Sequence, residues 1–158
     1  LEFRRVLFRS GPLTWLDWNG SGSSLRPFIA RLTALRAHYQ ALRRTRWFDG
    51  NLTATGERDV TWLACDGNPL SGSRWDEPAL RCFGMQLGRE TATEPGLLIL
   101  INGGESDCDF VLPRAPSGEW RLQLDTAAPD TAVGMPCHGP IRMPAHALLV
   151  LDSTAASA

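Results

Sequence analysis

Asp59-Val-Thr-Trp-Leu-Ala-Cys-Asp-Gly-Asn-Pro-Leu-Ser-Gly-Ser-Arg-Trp-Asp-Glu-Pro-Ala-Leu-Arg-Cys-Phe-Gly-Met-Gln-Leu-Gly88 decides the fold class of this chain. Val60, Trp62 and Ala64 recur at every second position, as in a half-buried strand. Asp66-Gly67-Asn68-Pro69 then signals a turn: Asp and Asn bond back to nearby backbone, Gly reaches positive φ, and Pro presets its own φ. Cys82, Met85 and Leu87 fall in a second strand, predicted from Leu80 to Leu87.

The same rhythm continues downstream. Leu97-Leu-Ile-Leu-Ile-Asn102 is a short continuous apolar run, the pattern of a strand buried on both faces, and Gly103-Gly104 closes it with a turn. Asp109 to Leu112 and Trp120 to Leu124 alternate again, and Ala147 to Leu151 completes the set. Short strands separated by Gly, Pro, Asn and Asp predict an antiparallel β-sandwich. The tail from Ser153 to Ala158 is small and polar and is expected to fray.

Upstream the period changes. Leu25, Phe28, Ile29, Leu32, Leu35, Tyr39 and Leu42 are spaced by threes and fours, which places them on one face of a helix from about 24 to 44. Ser23 or Ser24 is suited to cap it, and Pro27 sits in the first turn, where a missing N–H costs little. Asp49-Gly50-Asn51 ends the segment in a turn. The fold class is therefore mainly β, with one amphipathic helix ahead of the sandwich.

Leu1-Glu-Phe-Arg-Arg-Val-Leu-Phe-Arg-Ser10 reads as a translated sequencing adapter and is set apart from the fold as an artefactual peptide. The net charge is −1 with it and −3 without it. This mild acidity argues against a nucleic-acid binder, and no apolar run approaches the ~18 residues of a membrane helix. The four cysteines, Cys65, Cys82, Cys108 and Cys137, are widely spaced without a C-x-x-C pair and read as small buried or half-buried thiols. A zinc site from Cys108, Cys137 and His138 would lack paired-ligand spacing, so no metal or cofactor is expected.

Catalytic candidates are few. Asp76-Glu77 and Asp107/Asp109 are the local carboxylate pairs, and both read as solvated loop charges rather than as the facing carboxyls of a glycosidase. His38, His138 and His146 adjoin no nucleophile motif, and no G-x-S-x-G elbow occurs. Arg43-Arg44-Thr45-Arg46 reads as a solvated helix end whose charge complements the helix dipole. Trp15 and Trp18 flank Asp17, a grouping suited either to anchoring the helix or to holding a sugar ring.

The Trp62 to Gly88 block resembles a segment in the C-terminal domain of bacterial glycogen debranching enzymes of the glycogen-operon and isoamylase type. Leu98 to Asn102, Trp120 to Thr126 and Met143 to Leu151 resemble successive strands of that domain, and Phe28 to Phe48 resembles the last helix of the preceding (β/α)8 barrel. Tyr39-Gln40 departs from the His-Pro often found there. Thr14-Trp-Leu-Asp-Trp18 resembles an element after the last barrel strand, which implies that Trp15 and Asp17 line the rim of a glucan cleft.

The resemblance divides the chain into residues 11–49, the end of the catalytic barrel, residues 50–153, the β-sandwich, and residues 154–158, a disordered tail. It implies a cytoplasmic parent enzyme that hydrolyses α-1,6 branch linkages in glycogen or limit dextrin, with its catalytic carboxylates in barrel motifs that have no counterpart here. No catalytic residue is assigned in this chain. The alternatives are a free-standing glucan-binding module and the tail of another amylase-family enzyme, such as a trehalose-releasing hydrolase.

Overall fold

The computed structural model describes residues 25–154. Trp15, Asp17, Ser23 and Ser24, the adapter-like decapeptide and residues 155–158 lie outside them. The chain divides into two compact units, one ending at His38 and the other beginning at Tyr39.

The described part of the first unit is a single helix, α1 (Leu25–His38). None of its residues is buried, and Leu25 and Ile29 stand 58% and 49% exposed. The helix stops at His38 rather than near residue 44, because Tyr39 turns to extended backbone (φ −89°, ψ 113°). A short 3-10 turn, Gln40–Arg43, follows. Tyr39 extends the helical spacing of apolar residues, but its ring is buried in the second unit.

That unit is built from β1 (Val60–Ala64), β2 (Cys82–Leu87), β3 (Gly96–Asn102), β4 (Cys108–Val111), β5 (Glu119–Asp125), β6 (Met135–Cys137), β7 (Pro140–Met143) and β8 (Ala147–Thr154). Six strands form one sheet in the order β1-β2-β3-β8-β5-β6, and β4 with β7 forms a separate ribbon. Every pairing is antiparallel. The result is a sandwich of unequal layers, as the strand pattern predicts.

The core lies between the layers. Leu63, Leu98, Leu100, Trp120, Leu122, Leu149 and Leu151 from the large sheet meet Phe110 and Met143 from the ribbon. Phe110 is fully buried, and it reaches the sheet where Gly84 carries no side chain: a Cβ at Gly84 would stand 2.8 Å from the Phe110 Cζ. Trp120 is buried with its indole N–H donating to the Pro113 carbonyl at 2.7 Å, which satisfies the one polar atom it takes out of water.

Three local expectations need correction. In β1 the core residue is Leu63, while Trp62 stands on the outer face, 36% exposed. In β5 burial alternates as expected, but a bulge between Leu122 and Leu124 puts the two buried leucines on different faces. Leu122 pairs with Leu151 in the core, whereas Leu124 pairs with Val150 on the opposite face. At the C-terminal end, β8 runs on to Thr154, and Ser153 is fully buried opposite Gly96 rather than frayed.

Candidate functional site

Antiparallel register puts directly paired residues on the same face. Trp62 pairs with Met85, and Phe83 pairs with Ile101, so these four side chains share the outer face of the large sheet. Trp75 joins them from the 3-10 turn Gly72–Asp76. The Trp62 and Trp75 rings meet edge to face with centroids 5.6 Å apart, and Trp62 and Phe83 lie tilted at 6.0 Å. Edge-to-face geometry is favoured because the positive ring edge meets the negative ring face. Trp75 remains 45% exposed. The three rings form an apolar ledge with Trp62 and Trp75 partly exposed, which is the chemistry of a sugar platform or of a seat for another domain. The sequence held each ring, but not their meeting across β1, β2 and a turn.

The turn that carries Trp75 is held by ion pairs. Arg74 contacts Asp66 at 3.2 Å and Glu77 at 3.9 Å. Asp66 also accepts from the Asn68 N–H at 3.0 Å. That backbone bond, ahead of the Asn68 side chain and the Arg74 charge, holds the Asp66 carboxyl below its ordinary value despite some desolvation. Asp76 and Glu77 are both exposed, as expected of solvated loop charges. Asp107 and Asp109 share Arg142 at 3.4 and 3.6 Å, again near the surface.

Arg44 departs from the solvated helix end expected of it. Its guanidinium reaches the buried Asp59 at 3.1 Å and Glu90 at 3.4 Å, and lies 4.6 Å from the centroid of the Phe48 ring. Asp59 also accepts from the backbone N–H groups of Asp49 and Gly50 at 3.1 and 2.9 Å. This carboxylate organises the whole approach to β1.

The four cysteines are the free, buried or half-buried thiols that the sequence predicts. Cys137 lies on β6, beside the exposed His138, and Cys108 lies on β4, so the trio Cys108, Cys137 and His138 is not brought together as a ligand set. Cys65, Cys82 and Cys108 converge instead, with Sγ atoms all within 4.8 Å of one another. Spacing alone could not reveal this, because the three reach one point from separate strand ends. Among the described residues no helix is long and apolar enough to cross a membrane.

Residues 54–151 match the family described as the glycogen debranching enzyme C-terminal domain. The chain is similar to a glycogen debranching enzyme of Klebsiella pneumoniae, 35% identical over 81% of this chain and 17% of the relative. A glycogen debranching enzyme of Enterobacter is 33% identical over 84% of this chain and 18% of its own length. A glycogen operon protein GlgX homolog of Mycobacterium tuberculosis is 28% identical over 94% of this chain and 23% of its own length. The chain thus spans about a fifth of the curated relatives it matches.

Proposed function

Because the chain belongs to the family of glycogen debranching enzyme C-terminal domains, we propose that it serves as the non-catalytic β domain of a cytoplasmic α-1,6-glucan debranching hydrolase. The substrate of the whole enzyme is glycogen or limit dextrin. Residues 50–153 form the β domain and residues 11–49 the end of the catalytic barrel, with Trp15 and Asp17 at the rim of the glucan cleft.

The observation that carries this reading is the family match, which runs from ahead of β1 into β8. The domain's contribution is structural, through a core and outer face that brace the barrel.

Two experiments test this. Sequencing genomic DNA upstream of the Gly11 codon is expected to extend the frame into a barrel with its Asp, Glu and Asp motifs. A nearby start codon with no barrel would overturn the proposal. In native gels the chain alone is expected to migrate equally with and without glycogen. Retardation by glycogen that Trp62→Ala or Trp75→Ala abolishes would instead make the ledge a sugar platform and the chain a free-standing binding module.

A further inference from the structure

Three of the four cysteines meet at one corner of the sandwich. Cys65 follows β1, Cys82 opens β2 and Cys108 opens β4, so both layers contribute. The Cys108 thiol donates to the Cys82 Sγ at 2.7 Å, and the Cys65 thiol donates to the Cys82 carbonyl at 3.2 Å. The backbone is fixed around them, since the Val111 N–H donates to the Cys65 carbonyl at 2.8 Å and Cys108 pairs with Met143 across the ribbon. All three residues line a cavity of about 600 Å³ that also carries the carboxylates of Asp66, Glu77, Glu105 and Asp107 against the two cations Arg74 and Arg81.

We propose that Cys65, Cys82 and Cys108 form a thiolate site for one soft, thiophilic metal ion of the zinc type, with a further coordination position facing the cavity. The donor set supports this, because thiolates select zinc, copper(I) and similar ions over hard cations. The dimensions support it too. Metal–sulfur bonds of about 2.3 Å in tetrahedral geometry place sulfurs about 3.8 Å apart. A triangle whose sides all lie within 4.8 Å reaches this if the 2.7 Å side between Cys82 and Cys108 opens by rotation about Cα–Cβ bonds. The excess of carboxylates at the cavity provides a cation-attracting entry path.

Three thiols favour a metal over a disulfide. A Cys82–Cys108 bond would use only two of them, would require an external oxidant, and would leave Cys65 without a role. Metal uptake needs no redox partner: each sulfur forms one bond to the metal as its proton leaves to solvent. Because the sulfurs bind as thiolates, uptake displaces protons and weakens as the pH falls.

The test uses the reduced full chain and cadmium ion as a spectroscopic probe, with zinc in competition. Thiolate-to-metal charge-transfer absorption should saturate at one equivalent, with about three protons released per ion. Cys65→Ser, at the half-exposed position, should fold and lose more than the 10–100-fold in affinity that removing an outer-shell partner costs. Cys137→Ser should bind as the parent does. Absence of saturable absorption in the folded parent would overturn the site. So would equal loss in Cys137→Ser, or a parent that takes up no metal after mild oxidation and reduction while peptide mapping finds a stable Cys82–Cys108 cross-link.

Discussion

The Tyr39 hydroxyl donates a 2.7 Å hydrogen bond to the Asp152 Oδ2, joining the first residue of the β unit to its last strand. Gln123 donates to the other carboxylate oxygen at 2.8 Å. Both Tyr39 and Asp152 are buried, so the two donors together compensate a carboxylate taken out of water, and Tyr39 is the one that reaches Oδ2. Tyr39→Phe should destabilise the chain by about 1.5–3 kcal/mol, the range for hydrogen bonds to charged groups. A lower urea midpoint at unchanged slope would show it.

The same pair sets an alkaline limit. Burial first, and then the hydrogen bond and charge of Asp152, hold the Tyr39 hydroxyl well above its ordinary value. The unfolded chain ionises its tyrosine near pH 10, while the folded chain keeps the proton. This contribution is therefore complete below about pH 10 and is lost as the pH rises further. The raised thiols of Cys65, Cys82 and Cys137 act in the same direction, so the measurement is the difference between parent and Tyr39→Phe. The parent's melting temperature should fall more steeply above pH 10. Equal slopes would refute the assignment, and the chain's single tyrosine makes tyrosinate absorbance a direct readout.

Tyr39 also shows where sequence reading ends. It sits at helical spacing from Leu35 and Leu42, and nothing local distinguishes it from them; only the distant Asp152 does. β3 was legible because a strand between two neighbours in mid-sheet is apolar on both faces. The ribbon strand β7 was not, because Pro140 opens it opposite Val111, and proline in a run reads against a strand except at an edge or a first position. The face of β1 was misread because Trp62 and Leu63 are both apolar, leaving period two without a sign. The aromatic ledge and the thiol triangle depend on register between strands, which composition does not encode.

Gly84 and Phe110 form a second testable pair. A Cβ at Gly84 would also lie 3.1 Å from the Leu100 Cδ2, and Phe110 has no free side to retreat to. Gly84→Ala should cost about 1–3 kcal/mol by overpacking. Phe110→Leu removes the ring atom that clashes, so the double variant should be more stable than the sum of the two single losses. A thermal double-mutant cycle gives that coupling, and simple additivity would refute the contact.

At low pH the partly buried pair Glu57 and Arg89 offers a test. Partial burial raises the Glu57 carboxyl, but hydrogen bonds from the Arg89 side chain and backbone, with its charge, together hold it below its ordinary value. The unfolded carboxyl takes up its proton near pH 4.3, above the folded one. Its contribution is present above that pH and is lost as the pH falls through the folded value. Glu57→Gln should therefore be less stable than the parent at neutral pH, and the gap should narrow as the pH falls below about 4.3. A constant gap would show that packing, not ionisation, sets the difference.

Asp59 predicts a local effect rather than a global one. Its carboxylate holds Arg44 and the backbone at Asp49 and Gly50, so its loss frees the segment leading into β1 while the core cluster keeps its contacts. Asp59→Ala should open Arg44 and Arg46 to trypsin at a protease level that leaves the parent intact there, because local opening governs such cleavage. Mass spectrometry of the first fragments reads this directly. The β-strand arginines Arg121 and Arg142 should resist equally in both proteins. If they were cut as early as Arg44, Asp59 would be supporting the whole fold rather than the approach to it.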